Sequence, residues 1–136
     1  VTPEVADLLG RAKLTLGDAK TIQATTTLHA IVAREAYNAV LQAARAVLLD
    51  RTDRVVKTHR GVLQQIGLLA QGETRIGTEF ATFLGPGFEM KQQVDYGPRL
   101  RAAVTRETAE HFVATAARLL AHAEWLLTRP DPPPAA

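Results

Sequence analysis

The chain has no cysteine among its 136 residues. That excludes disulfides and thiolate metal sites and makes a reducing cytoplasm the expected setting. No apolar run approaches the roughly 20 residues a membrane-spanning helix needs, and no charged-then-apolar segment opens the chain as a signal peptide would. A soluble protein that does not enter a membrane is expected. Val1 is not an initiator Met, so the numbering is expected to start inside a trimmed or processed product. The phosphate-binding loop, the dinucleotide glycine fingerprint, His-Glu-x-x-His and Gly-x-Ser-x-Gly are all missing, which removes the common NTPase, dehydrogenase, zinc-protease and serine-hydrolase readings. Histidines stand at 29, 59, 111 and 122, none paired with another at helical ligand spacing. Neither a metal site nor a cofactor is expected.

A strong charge bias is lacking too. Sixteen Lys and Arg against fourteen Asp and Glu leave a formal charge of +2, far from that of a dedicated nucleic-acid coat. Arginine supplies most of the cations, which favours forked contacts to phosphate or carboxylate over diffuse attraction. Their placement is informative: Arg51, Arg54, Lys57 and Arg60 recur at every third residue, and Arg99, Arg101 and Arg106 form a second cluster. Both sets read either as solvated helix ends and connectors or as phosphate-facing groups.

What is present is helical periodicity. Thr2-Pro3-Glu4 reads as a helix start, with a hydroxyl cap, proline at the first position and an acid in the first turn. Val5, Leu8, Leu9, Ala12, Leu16 and Ala19 follow at helical spacing, and the threonines at 25–27 mark a break and offer the next cap. From Leu28 to Leu48 apolar residues form one unbroken stripe, with Tyr37, Leu41 and Leu49 on a second line. A helix apolar on two sides belongs at the centre of a bundle or in a subunit interface. A charged turn at Asp50 to Asp53 ends it. Thr58 caps a third helix that closes near Gln71-Gly72. Phe80, Phe83 and Leu84 form a short patch, Gly85-Pro86-Gly87 is the hardest punctuation in the chain, and a helical stretch through Phe88, Met90 and Val94 stops at Gly97-Pro98. The last helix runs from Thr105 to Leu127. Pro130 to Ala136 is expected to be a disordered or polyproline-like tail. No stretch alternates with period two for long enough to make a strand. The expected fold is all-α: an antiparallel up-and-down bundle of four main helices plus a short helix over residues 1–129.

Three blocks of sequence are more specific. Ala36 to Leu49, AYNAVLQAARAVLL, resembles the AYYAMFHAARALL helix of bacterial HEPN proteins (higher eukaryotes and prokaryotes nucleotide-binding). Lys57 to Val62 is similar to the KTHxGV turn that follows it there, and Phe88 to Tyr96 resembles the FELRQEADY stretch. The blocks keep the family's order across residues 30–127. The resemblance implies a homodimer, often encoded beside a minimal nucleotidyltransferase that silences it in a toxin–antitoxin-like module. Many members are metal-independent ribonucleases with an Arg-x4–6-His motif just before the last helix. There the Arg fork stabilises the scissile phosphate and the imidazole moves a proton.

This chain carries Lys91 and Tyr96 where Arg and His would stand. Lysine keeps the charge but not the fork, and an unperturbed tyrosine ionises only near pH of about 10. The resemblance therefore implies Lys91, Asp95, Tyr96 and His59 as candidate catalytic residues. It implies Arg45, Arg54, Lys57, Arg60, Arg99 and Arg101 as candidates for RNA or phosphate binding, and Tyr96 as a candidate for modification, since some relatives are silenced by attachment of AMP to a nearby tyrosine. A literal Arg-x4-His also occurs at Arg54…His59 and Arg106…His111, but twelve arginines make such matches expected by accident. Arg34 stands one residue from where relatives often carry an arginine. Tyr37 and Trp125 read as core or interface aromatics. Two functions follow as expectations: a component of a nucleotidyltransferase-linked module acting as a dimer on RNA or on a partner protein, with a degenerate ribonuclease site, or a non-catalytic helical adaptor that docks the transferase and senses or binds a nucleotide. A basic groove would favour the first. Neutralisation of the candidate groups by Glu and Asp would favour the second.

Overall fold

Helix starts are set by threonine hydroxyls wherever the structure makes a side-chain cap. Thr2 accepts a hydrogen bond from the Val5 N–H at 3.3 Å and opens α1, Pro3–Thr25. Thr58 accepts from Gly61 at 2.9 Å and opens α3, His59–Gly72. Thr105 accepts from Thr108 at 3.1 Å and opens α6, Arg106–Thr128. Between them lie α2, His29–Thr52, a 3₁₀ turn at Thr74–Ile76, α4, Glu79–Tyr96, and the five-residue α5, Pro98–Ala102. The computed structural model describes residues 1–129, so the expected tail over 130–136 lies outside the described residues. Among the described residues there is no strand, and no helix is long and apolar enough to cross a membrane. The helices pack antiparallel, as the periodicity predicts.

α2 is the central helix. It packs against α1, α3, α4 and α6, and thirteen of its 24 residues are buried, enough to face neighbours on all sides. Alanines at 36, 39, 43 and 44 are wholly buried and let those neighbours approach closely. The apolar stripe is real but begins later than its sequence suggests, because Leu28 is exposed.

Two boundaries differ from expectation. The threonines at 25–27 do not cap α2, whose N-cap residue Leu28 makes no side-chain cap. The hydroxyls of Thr25 and Thr26 turn back onto α1: Thr25 donates to the Thr21 carbonyl and Thr26 to the Ile22 carbonyl, while Thr26 also accepts from the Leu28 N–H at 3.2 Å. The Gly85-Pro86-Gly87 break does not exist either, because α4 runs through it. Pro86 and Thr82 lie on the exposed side, where water can serve the Thr82 carbonyl that Pro86, lacking an N–H, leaves without a helical partner. Gly87 is buried against α2, and a Cβ there would sit 2.6 Å from Tyr37 Cδ1. The glycine permits a close helix crossing, not a turn.

Candidate functional site

The three distinctive sequence blocks meet around His59. Arg45 on α2 reaches over the connector and donates to the Lys57 carbonyl at 2.7 Å, fixing the main chain that leads into α3. Gly61 belongs to the same clasp: its N–H bonds Thr58, and a Cβ would come within 2.7 Å of the Thr58 hydroxyl. This places His59 at the first position of α3. Its Nδ1 is 2.9 Å from the Tyr37 hydroxyl. The imidazole stacks between Tyr37 and Phe88 of α4, with centroids 5.8 and 4.7 Å away.

The electrostatics of this stack are clear in direction. Burial lowers the His59 pKa, and the nearby charges of Lys91 and Arg45 lower it further. Tyr37 is 1% exposed, and burial pushes its pKa to about 12 against a smaller opposing effect of Arg45. At neutral pH both groups are uncharged, which suits the phenol donating to Nδ1 with the imidazole proton on Nε2. A neutral imidazole held by two rings can accept a proton but has none to give as an acid.

Lys91 is engaged. Its ammonium lies 2.6 Å from Asp95, one helical turn on, and Arg34 of α2 donates to the other Asp95 oxygen at 2.9 Å. The hydrogen bond from Lys91, joined by that from Arg34, holds the Asp95 carboxyl below its usual range. Arg34 also lies 3.6 Å from Glu35. Two cations therefore share two carboxylates, and the cluster has no net charge with which to attract a phosphate. Tyr96 does not join it. Five residues along a helix turn the side chain by about 140° from Lys91, and Tyr96 is 85% exposed at the end of α4.

The remaining candidates spread out. Arg54, Lys57 and Arg60 are exposed around the α2–α3 connector, and Arg99 and Arg101 are exposed on α5. A groove of about 390 Å³ beside His59 is lined by Arg60, Leu63, Pro86, Phe88 and Glu89. Arg106 pairs with Glu110 at 3.5 Å, and His111 is exposed beyond it, so that literal Arg-x4-His sits on solvated helix surface. Trp125 lies at the surface with the Arg75 and Arg129 guanidinium carbons 5.5 and 5.7 Å from its ring centroid. Among the described residues no group of three or more His, Asp or Glu converges as metal ligands.

Sequence reasoning did not connect Arg34 to Asp95, 61 positions apart, and read Tyr37 as packing alone. The Lys91–Asp95 spacing of four on a helix was the one visible sign of neutralisation.

No curated protein matches the chain. The HEPN domain family matches residues 5–125, a span that holds α2, α3, α4 and the whole Tyr37–His59–Phe88 stack, and the chain belongs to the HEPN domain family.

Proposed function

We propose that this HEPN-domain protein is the helical partner of a minimal nucleotidyltransferase in a toxin–antitoxin-like module, and that it acts there by binding instead of cutting RNA. The observation that carries this reading is the state of Lys91. Lys91, which the sequence resemblance sets at the position of the family's catalytic arginine, is tied to Asp95, which Arg34 ties from the other side. A lysine so held offers no fork to a phosphate, and the carboxylate beside it repels one. His59, neutral and stacked, completes the packing of α2, α3 and α4. As in related bundles, the working unit proposed is a homodimer.

Tyr96 supports a role in the partnership. Its exposure at a helix end leaves the hydroxyl open to a transferase active site, with Arg99 and Arg101 on the exposed helix that follows. Co-expression with a minimal nucleotidyltransferase from the neighbouring gene tests the proposal. A stable complex is expected, and adenylylation, if the transferase works on this chain, should map to Tyr96 by mass spectrometry. Failure of the two proteins to co-purify overturns the partnership, and modification elsewhere overturns the assignment of Tyr96.

One observation favours a second reading, a metal-independent endoribonuclease using His59, Lys91, Asp95 and Tyr96. The His59 imidazole is neutral and within the fields of Lys91 and Arg45, a fitting state for a general base beside cations. Cleavage that vanishes in His59→Ala while the fold persists would select it.

A further inference from the structure

α1, α2 and the α2–α3 connector enclose a second groove, of about 280 Å³. Its lining is Leu8 and Arg11 from α1, Arg45 and Leu49 from α2, and Val55, Val56 and Lys57 from the connector. Three elements each bring one cation to it, and no carboxylate lines it. None of the three side chains forms an ion pair among the described residues, whereas Lys13, Arg34, Arg51, Lys91, Arg106 and Arg118 all do. Like charges gathered without a counter-charge repel one another and need an external anion to offset them.

Arg45 makes the case stronger. Its Nη2 is committed to the Lys57 carbonyl, while Nε is buried with no partner. The guanidinium is thus partly desolvated with only one neutral acceptor, a costly state for a charge unless an anion sits nearby. The carbonyl bond also fixes the fork beside the groove, so little ordering remains for a ligand to impose. The other walls are aliphatic, and Val55 is an exposed hydrophobe at 66%. Apolar walls with a few convergent charges are the usual make-up of a small-molecule site, and this volume lies just below the usual range of such sites, which limits the ligand to a small one.

We propose that the groove of Arg11, Arg45 and Lys57 binds a phosphate monoester carried on a small apolar body. Three cations match a phosphate monoester, with its charge of about −1.5 to −2 at neutral pH, better than a single carboxylate. Leu8, Leu49, Val55 and Val56 would cover the body. The inference does not rest on the transferase partnership, since it uses none of His59, Lys91 or Tyr96, and it shares with the ribonuclease reading only the cations Arg45 and Lys57.

The test is an amide-resonance NMR titration of the full chain with octyl phosphate, AMP, inorganic phosphate and octanol. Saturable shifts centred on Arg11, Leu49 and residues 55–57 are expected with octyl phosphate or AMP, and the tighter of the two tells whether the walls hold an aliphatic chain or a base. Inorganic phosphate should bind at least about tenfold more weakly, and octanol should not reproduce the pattern. The double variant Arg11→Glu with Lys57→Glu changes two exposed side chains that make no hydrogen bond. Its spectrum should stay folded while affinity falls about tenfold or more. Octanol binding as well as octyl phosphate, inorganic phosphate binding as well as either ester, undiminished affinity in the double variant, or no saturable shift at millimolar ligand would each overturn the proposal.

Discussion

Replacing Gly87 by alanine separates the role of that glycine as a packing residue from its apparent role as a turn. In an ordinary helix interior the change gains about 1 kcal/mol, because alanine loses less backbone freedom on folding. Here the new Cβ would lie 2.6 Å from Tyr37 Cδ1 and 3.2 Å from Cε1. Tyr37 has nowhere to retreat: it is buried, bonded to His59 and stacked near Phe83. Overpacking of this kind costs about 1–3 kcal/mol, so after the helix-propensity gain Gly87→Ala should lose about 1 kcal/mol net and melt a few degrees lower. Gly17 supplies the control. It lies in α1 with nothing within 4 Å of its Cβ position, and Gly17→Ala should gain about 0.5–1 kcal/mol. Urea unfolding followed by circular dichroism reads both. If Gly87→Ala is stabilised to the same extent as Gly17→Ala, the close crossing of α4 over Tyr37 is wrong.

Other consequences are as direct. The lowered pKa of folded His59 means the unfolded chain takes up its proton first. Stability from this group is full above pH of about 6.5 and is lost as pH falls through the lower folded value. His59→Phe should flatten that acid limb in urea midpoints taken from pH 8 downward, and an unchanged limb would show that His59 is not buried as described. Arg51, 9% exposed in its side chain, bonds both Glu73 oxygens and the Leu126 carbonyl. Arg51→Met should cost roughly 3 kcal/mol, because the Glu73 carboxylate keeps its burial and loses its forked partner. The exposed Lys13–Glu124 pair should give under about 1 kcal/mol when Lys13 is made Ala. Equal losses at both sites would contradict the burial of Arg51. Light scattering at tens of micromolar should return the mass of a dimer, whose interface is expected to bury at least about 1,200 Å², and a monomer mass removes the homodimer.

The fold was legible wherever one local rule decided the outcome. Thr2 and Thr58 were readable as caps because a hydroxyl before an apolar period has few better uses, and each makes its bond, while Thr105, expected as the first residue of the last helix, is its cap. The centrality of α2 followed from apolar residues on more than one side. Gly85-Pro86-Gly87 misled because glycine marks turns and close crossings alike, and only the position of Tyr37 tells which applies. The threonines at 25–27 were ambiguous for a similar reason, since one hydroxyl can close the helix before it or open the one after. At the candidate site the sequence named His59, Lys91 and Asp95, and the structure adds what they touch. The Arg34 bond to Asp95 and the Tyr37 bond to His59 join residues on different helices, and no spacing rule reaches across a bundle. Arg11 was passed over for the same reason: its neighbours Arg45 and Lys57 are distant in sequence and adjacent only once α1 has packed on α2.

The most direct test of the proposed function is an RNA cleavage assay in the presence of a chelator, using the purified protein alone beside Lys91→Ala and His59→Ala. Because Asp95 holds Lys91 and His59 is stacked and neutral, no cleavage above the protein-free blank is expected from any of the three. Metal-independent cleavage by the unaltered protein that either substitution abolishes would contradict it.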